Sequence, residues 1–158
     1  MNTQPNTNVD EDSNVGTGGR FTTFYVGGML FGVDVMNVQE VLRSQASTRV
    51  PLAPAVVSGL INLRGQIVTS IDMRRRLNLP LRAPEAIPMN IVVRSGDEAV
   101  NLLVDEIGDV LQVEASRFER KLRNIDPTVR DLILGVYKHD DRLLLVLDTN
   151  KTVAVTPD

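Results

Sequence analysis

The sequence predicts an all-β protein with a few short helices, and three observations carry that reading. Runs of β-branched and aromatic residues recur about every 8–12 residues, enough for about ten short strands. Glycine-containing pairs fall between successive runs, where hairpins turn. Apolar residues make up 42% and charged residues 23% of the 158 positions, ordinary values for a folded chain. The spacing fits small barrels or a sandwich, as one domain or as two small lobes sharing one core.

Residues 1–19 are rich in Asn, Thr, Gly and acids and offer little to bury, which predicts a disordered tail with order from Arg20–Phe21. Phe21–Val26, a Gly27-Gly28 turn and Met29–Val33 read as a hairpin. Asp34 can cap a helix with Val35, Val38 and Leu42 on one face, or a single turn before a strand Val38–Arg43. The β-branched content favours the strand. Pro51 and Pro54 remove backbone donors, so 50–54 is irregular, with one helical turn over Ala55–Ser58 ended by Gly59. Leu60–Leu63 and Gln66–Ile71 form a hairpin around Arg64-Gly65, where Gly65 takes the positive φ. Asp72 caps a short helix Met73–Leu77, which stops before Pro80.

A Pro-containing connector, residues 78–87, separates this half from the next. Asn90–Arg94 and Ala99–Val104 flank a Ser95–Glu98 turn, and Ile107–Val113 is a further strand. Phe118 and Leu122 lie four apart, which suggests a short helix over Glu114–Leu122. Asp126-Pro127 breaks the chain. Leu132–Lys138 and Arg142–Leu147 make a last hairpin, and Asp148 caps a final turn to Val153.

Composition excludes several function classes. There is no cysteine, so disulfides, thiolate metal sites and cysteine nucleophiles are ruled out. Apolar runs are far shorter than the ~18 residues that span a bilayer, and the N-terminus has no signal-peptide pattern, so a cytoplasmic protein is expected. Residues 20–83 carry eight arginines against Asp34, Glu40 and Asp72, while residues 84–158 carry nine bases against 14 acids. A body neutral overall, with halves of opposite sign, suits contacts between a basic and an acidic face better than a polyanion.

Catalytic constellations are missing. His139, the one histidine, sits at a hairpin tip without the partners a triad or a zinc site needs. Asp105, Glu106 and Asp109 lack calcium-loop spacing. Arg74-Arg75-Arg76 reads as a solvated basic face. No glycine loop follows a strand in the way a phosphate cradle requires. A binding module therefore explains the chain better than an enzyme, with no cofactor and no metal expected. Arg64 at a hairpin apex and Glu40 among Val38, Val41 and Leu42 are the polar residues without a core reason to be there.

The run Gly59-Leu60-Ile61-Asn62-Leu63-Arg64-Gly65, continuing through Ile67 to Asp72, resembles the hallmark of the CheW family of chemotaxis coupling proteins. Phe31–Val35 with Val38–Val41, the Pro51/Pro54 pair and Leu102–Leu111 resemble its other motifs, so the likeness covers residues 20 to about 155. It implies two packed five-stranded barrel lobes and an adaptor without enzymatic activity. The implied partners are the regulatory domain of a CheA-type histidine kinase and the cytoplasmic tip of chemoreceptors. The adaptor would be a monomer in isolation and form rings with the kinase, at the inner face of the membrane within receptor arrays, without inserting into it. The resemblance places receptor binding at Val38, Arg64, Ile107 and Val110, and kinase binding at Glu40 and Val41. Asn101 stands where the family usually has Gly, and a side chain there is expected to narrow the receptor groove. Two alternatives differ in class. A single-stranded nucleic-acid barrel needs a basic face. An enzyme using Asp105 and Asp109 needs a raised carboxylate pKa.

Overall fold

A computed structural model describes residues 15–43, 45–120 and 123–155. Among the described residues, eleven strands fall into two sheets. The first, in the order β8-β1-β2-β11-β10-β9, comprises β1 (Gly19–Val26), β2 (Met29–Asp34), β8 (Glu106–Val113), β9 (Phe118–Glu119), β10 (Ile133–His139) and β11 (Arg142–Leu147). The second, β3-β6-β7-β5-β4, comprises β3 (Val38–Leu42), β4 (Val57–Leu63), β5 (Gln66–Asp72), β6 (Met89–Ser95) and β7 (Glu98–Val104). The helices are short: α1 (Met73–Arg76), α2 (Pro127–Arg130) and α3 (Thr149–Val153). None is long and apolar enough to cross a membrane.

The all-β class and the two lobes are as the sequence predicts. The strand pairing leaves two curled sheets, of six and five strands, rather than two closed five-stranded barrels. In the five-stranded sheet the outer strands nevertheless approach each other. Thr48, beyond β3, bridges to Leu60 on β4. The Thr48 carbonyl oxygen lies 2.7 Å from where a Cβ on Gly59 would sit, so only glycine admits this approach.

The lobes are not the two halves of the chain. The first hairpin joins the C-terminal one through the parallel pair β2–β11, and residues 38–104 form the other lobe between them. The connector at 78–87 thus lies inside the five-stranded lobe, between α1 and β6. The charge asymmetry partly follows the lobes instead, with eight arginines against five acids over residues 35–104.

Both sheets bury both faces, which explains uninterrupted apolar runs such as Ile91-Val92-Val93. Ile91 and Val93 enter a core shared by the lobes, with Phe24, Val26, Phe31 and Val33 from the first sheet. Val92 enters the five-stranded lobe's own core with Ile61, Leu63 and Val68. Phe21, Leu30, Tyr137 and Leu144 fill the six-stranded lobe.

Local differences have local causes. Ala55–Ser58 is not a helical turn: the Val57 N–H bonds to the Pro54 carbonyl, and β4 starts at once. Glu114–Leu122 is not a helix. Ala115–Arg117 makes one 3-10 turn, and Phe118 extends into β9 to pack on Tyr137, ring centroids 5.0 Å apart. Leu122 lies outside the described residues. The Gly18 N–H donates to Tyr137 Oη at 3.0 Å, so the folded body includes residues before Arg20. Residues 1–14 of the expected tail lie outside the described residues.

Candidate functional site

Two β-bulges decide which side chains share a face. On β3, Val38 pairs with Val93 and Glu40 with Val92, so Gln39 is the extra residue. Val38 and Val41 consequently both face the side of Ile91 and Val93, toward the shared core, while Glu40 and Leu42 face the five-stranded lobe's own core. On β8, Ile107 pairs with Phe24 and Val110 with Thr22, with the extra residue opposite Thr23. Ile107 and Val110, three apart, therefore share a face where a regular strand would oppose them. The Thr23 hydroxyl holds this bulge by donating to the Asp109 carbonyl.

Val38 and Ile107 are half-buried and pack against the same shared core, which sets them along the seam between the lobes. Val41 and Val110 continue their respective faces outward, 40% and 50% exposed. Met36, in the 3-10 turn Val35–Asn37 that leads into β3, is 83% exposed. Sequence reasoning missed it, because a methionine in an apolar run reads as core.

Arg64 and Glu40 meet on the other face of β3. The guanidinium donates to Glu40 Oε1 at 2.8 Å, with the Arg64 side chain 84% exposed. Both turn residues have positive φ, 51° at Arg64 and 86° at Gly65, and the Asn62 carboxamide accepts the Gly65 N–H. A left-handed arginine is uncommon and costs about 1 kcal/mol or more, so the apex holds Arg64 out at the cost of some strain. Beside it Ile67 is exposed, a second missed residue. Its signal was available: it alternates with Val68, which is buried in the lobe core. The structure thus joins Arg64 to Glu40, and sets Val41 on the opposite face of β3 from Glu40.

Asn101 does not narrow the seam. It pairs with Val92, is fully buried, and faces the interior of the five-stranded lobe, where its Nδ2 donates to Ser70 Oγ and Asn90 Oδ1.

The carboxylates do not make a catalytic pair. Asp105 accepts from Arg74 Nε and Nη2, from Arg82 Nε and from the Gly27 N–H, all at 2.8–2.9 Å. Burial opposes its ionisation, but the Arg74 hydrogen bonds, the Gly27 N–H and the charges of Arg74 and Arg82 outweigh this and lower its pKa. An acid catalyst needs the opposite shift. The same bonds to Asp105 raise the Arg74 pKa against the effect of burial.

The arginine run is not a solvated face either. Arg74 also donates to the Pro80 carbonyl, and Arg76 donates to the carbonyls of Thr152 and Lys151. Arg75 alone of the three is exposed. His139 Nε2 lies 3.8 Å from Asp140, beyond hydrogen-bond distance.

A family model described as the CheW-like domain matches residues 20–156. Chemotaxis protein CheW of Bacillus subtilis is 33% identical over 134 residues, covering 85% of this chain and 86% of that protein. Chemotaxis protein CheW of Rhizobium meliloti is 37% identical over 139 residues, covering 83% and 85%. In fold, the chain is similar to the crystal structure of the scaffolding protein TtCheW from Thermoanaerobacter tengcongensis. The TM-score is 0.79 at 24% identity, over 90% of this chain and 97% of that one.

Proposed function

The chain belongs to the CheW-like domain family, and from that premise we propose that it is a non-enzymatic adaptor coupling chemoreceptors to a CheA-type histidine kinase. The observation that supports this most is the reach of the family match, which takes in all eleven strands save the first residue of β1. The seam supplies a surface of the right chemistry. Val38, Ile107 and Val110 face one side, and apolar residues at a groove bind one face of an amphipathic helix. That is the receptor contact in this reading, made by the cytoplasmic tip of the receptor. The kinase regulatory domain takes β3 at Glu40 and Val41, along its edge. The resemblance sets Arg64 with the receptor contact; in this reading its ion pair with Glu40 brings it to the second contact instead, and Ile67 extends that contact as an exposed apolar neighbour. The adaptor works in the cytoplasm, beneath the membrane, in arrays assembled with the kinase.

The nucleic-acid reading keeps only part of its basic face, since Arg74, Arg76 and Arg82 bond carboxylates and carbonyls within the fold while Arg43, Arg49, Arg75 and Arg94 stay exposed. The deciding experiment titrates the protein separately with a receptor-tip fragment, with a kinase regulatory domain and with single-stranded DNA. Saturable binding of the two proteins is expected. DNA binding with a steep salt dependence, and neither protein bound, would overturn the proposal.

A further inference from the structure

Asp105 is the single residue between β7, in the five-stranded sheet, and β8, at the edge of the six-stranded one. Its main-chain N–H donates to the Tyr25 carbonyl on β1, and its carboxylate accepts the Gly27 N–H from the β1–β2 turn. Those ties reach the six-stranded lobe. The other acceptor sites are taken by Arg74 of α1 and Arg82 of the connector, both from the five-stranded lobe. Arg82 in turn donates to Asp72 and to the Leu103 carbonyl, and is itself largely buried. The charged groups facing Asp105 are thus Arg74 and Arg82, with Asp72 behind them.

We propose that Asp105 is a positioning residue for the seam: by clamping the two lobes through one carboxylate, it fixes the angle at which β8 presents Ile107 and Val110 beside the shared core. The inference rests on the seam being the receptor contact. The shared core and the Arg76 bonds to the Thr152 and Lys151 carbonyls also hold the lobes together, but apolar contact is non-directional and the Arg76 bonds hold α3, not β8. Paired guanidinium–carboxylate bonds are directional and act where β8 begins. β8 leaves the clamp directly, with Ile107 two residues on and Val110 five residues on. At about 3.3 Å per residue these are levers of roughly 7 and 17 Å. A turn of about 5° at Asp105 therefore moves Val110 by roughly 1.5 Å, enough to spoil the fit of a docked helix. Because β8 is laddered to β1, the whole six-stranded sheet turns with it.

The absence of cysteine allows a direct test. Spin labels on cysteines placed at the exposed Gln39 of β3 and Gln112 of β8 report the distance across the seam. Asp105→Asn keeps the shape but turns an amide N–H toward a guanidinium. Arg82→Lys keeps the charge but loses the fork, and serves if the first variant does not fold. Either variant is expected to broaden or shift the distance distribution. Affinity for a receptor-tip fragment should weaken about tenfold, as when the competent arrangement falls to a tenth of the population. Affinity for the kinase regulatory domain should stay within twofold. A folded variant with unchanged distance and receptor affinity overturns the proposal. So does an equal loss of both affinities with a lower melting temperature, which marks a merely structural residue. If the unaltered protein fails to bind the receptor fragment, the functional reading fails, and the spin-label distances alone still decide whether Asp105 clamps the lobes.

Discussion

Replacing Val110 by Asp tests the receptor face with little disturbance to the fold. Val110 is 50% exposed and lies on an edge strand, opposite Thr22. Full burial of a valine is worth about 1.5–3 kcal/mol, so the half already in water leaves roughly 1 kcal/mol at risk. For a chain of this size that is a fall in melting temperature of about 2–4 °C. Binding suffers more. A helix docked over the seam strips water from the new carboxylate, and an unpaired buried charge costs several kcal/mol. At about 1.4 kcal/mol per factor of ten, affinity for a receptor-tip fragment should drop at least tenfold, while kinase-domain affinity should hold. Val38→Asp is the contrast: Val38 is half-buried against the shared core, so the same change there should lower stability by about 3 kcal/mol and bring the melting temperature down with the affinity. Calorimetric titration of Val110→Asp against each partner, with a melting curve, reads all of this. If both affinities fall together and the melting temperature drops by much more than 4 °C, Val110 acts in packing and the seam is not the receptor contact.

Arg64→Ala should remove an exposed ion pair worth at most about 1 kcal/mol, leaving folding nearly unchanged while kinase-domain binding weakens; a double-mutant cycle with Glu40→Ala checks it, and additive binding losses argue against a shared contact. Leu52 has φ 64° and a fully exposed side chain, so Leu52→Gly relieves strain without losing burial and should raise the melting temperature by about 1–3 °C; a fall shows that the leucine packs somewhere. Asp105 has a folded pKa below its ordinary 3.8, so its stabilisation is complete above that value and is lost as pH falls through the lower folded value. Urea midpoints of the native protein and Asp105→Asn should therefore converge only below about pH 4, and a gap independent of pH contradicts the clamp.

The strand inventory was legible because each hairpin carries its own local signal. Gly27-Gly28 and Arg64-Gly65 announce turns, and Asp34, Asp72 and Asp148 each cap the short turn or helix that follows them. The lobes were not legible. Pairing β2 with β11 joins opposite ends of the chain in parallel, and no local pattern encodes that. The faces of β3 and β8 were also hidden, since one extra residue at each bulge reverses the alternation on which sequence reading depends. Glu114–Leu122 was misread for a related reason. The Phe118 and Leu122 spacing is helical, but Phe118 is claimed by Tyr137 from a distant strand. Of the site, the hallmark run named Arg64, yet its partner Glu40 comes from an edge strand on the far side of the sheet, and only the curl of the sheet unites them.

That curl also gives Asn101 its meaning. Val100 and Leu102 on either side of it enter the shared core, so Asn101 must point into the five-stranded lobe. There its Nδ2 serves two acceptors, Ser70 on β5 and Asn90 on β6, and Asn90 passes the connection on by donating to the Arg43 carbonyl just beyond β3. A glycine on β7 makes none of these bonds. Each is worth about 1 kcal/mol net, but their direction matters more than their sum. They tie β5, β7 and β6 to the end of β3, the strand that carries Val38, Glu40 and Val41. The side chain expected to narrow the receptor groove therefore acts from behind it. It fixes the outer strand of the five-stranded sheet from within, while the proposed clamp at Asp105 sets the angle of β8 in the other lobe.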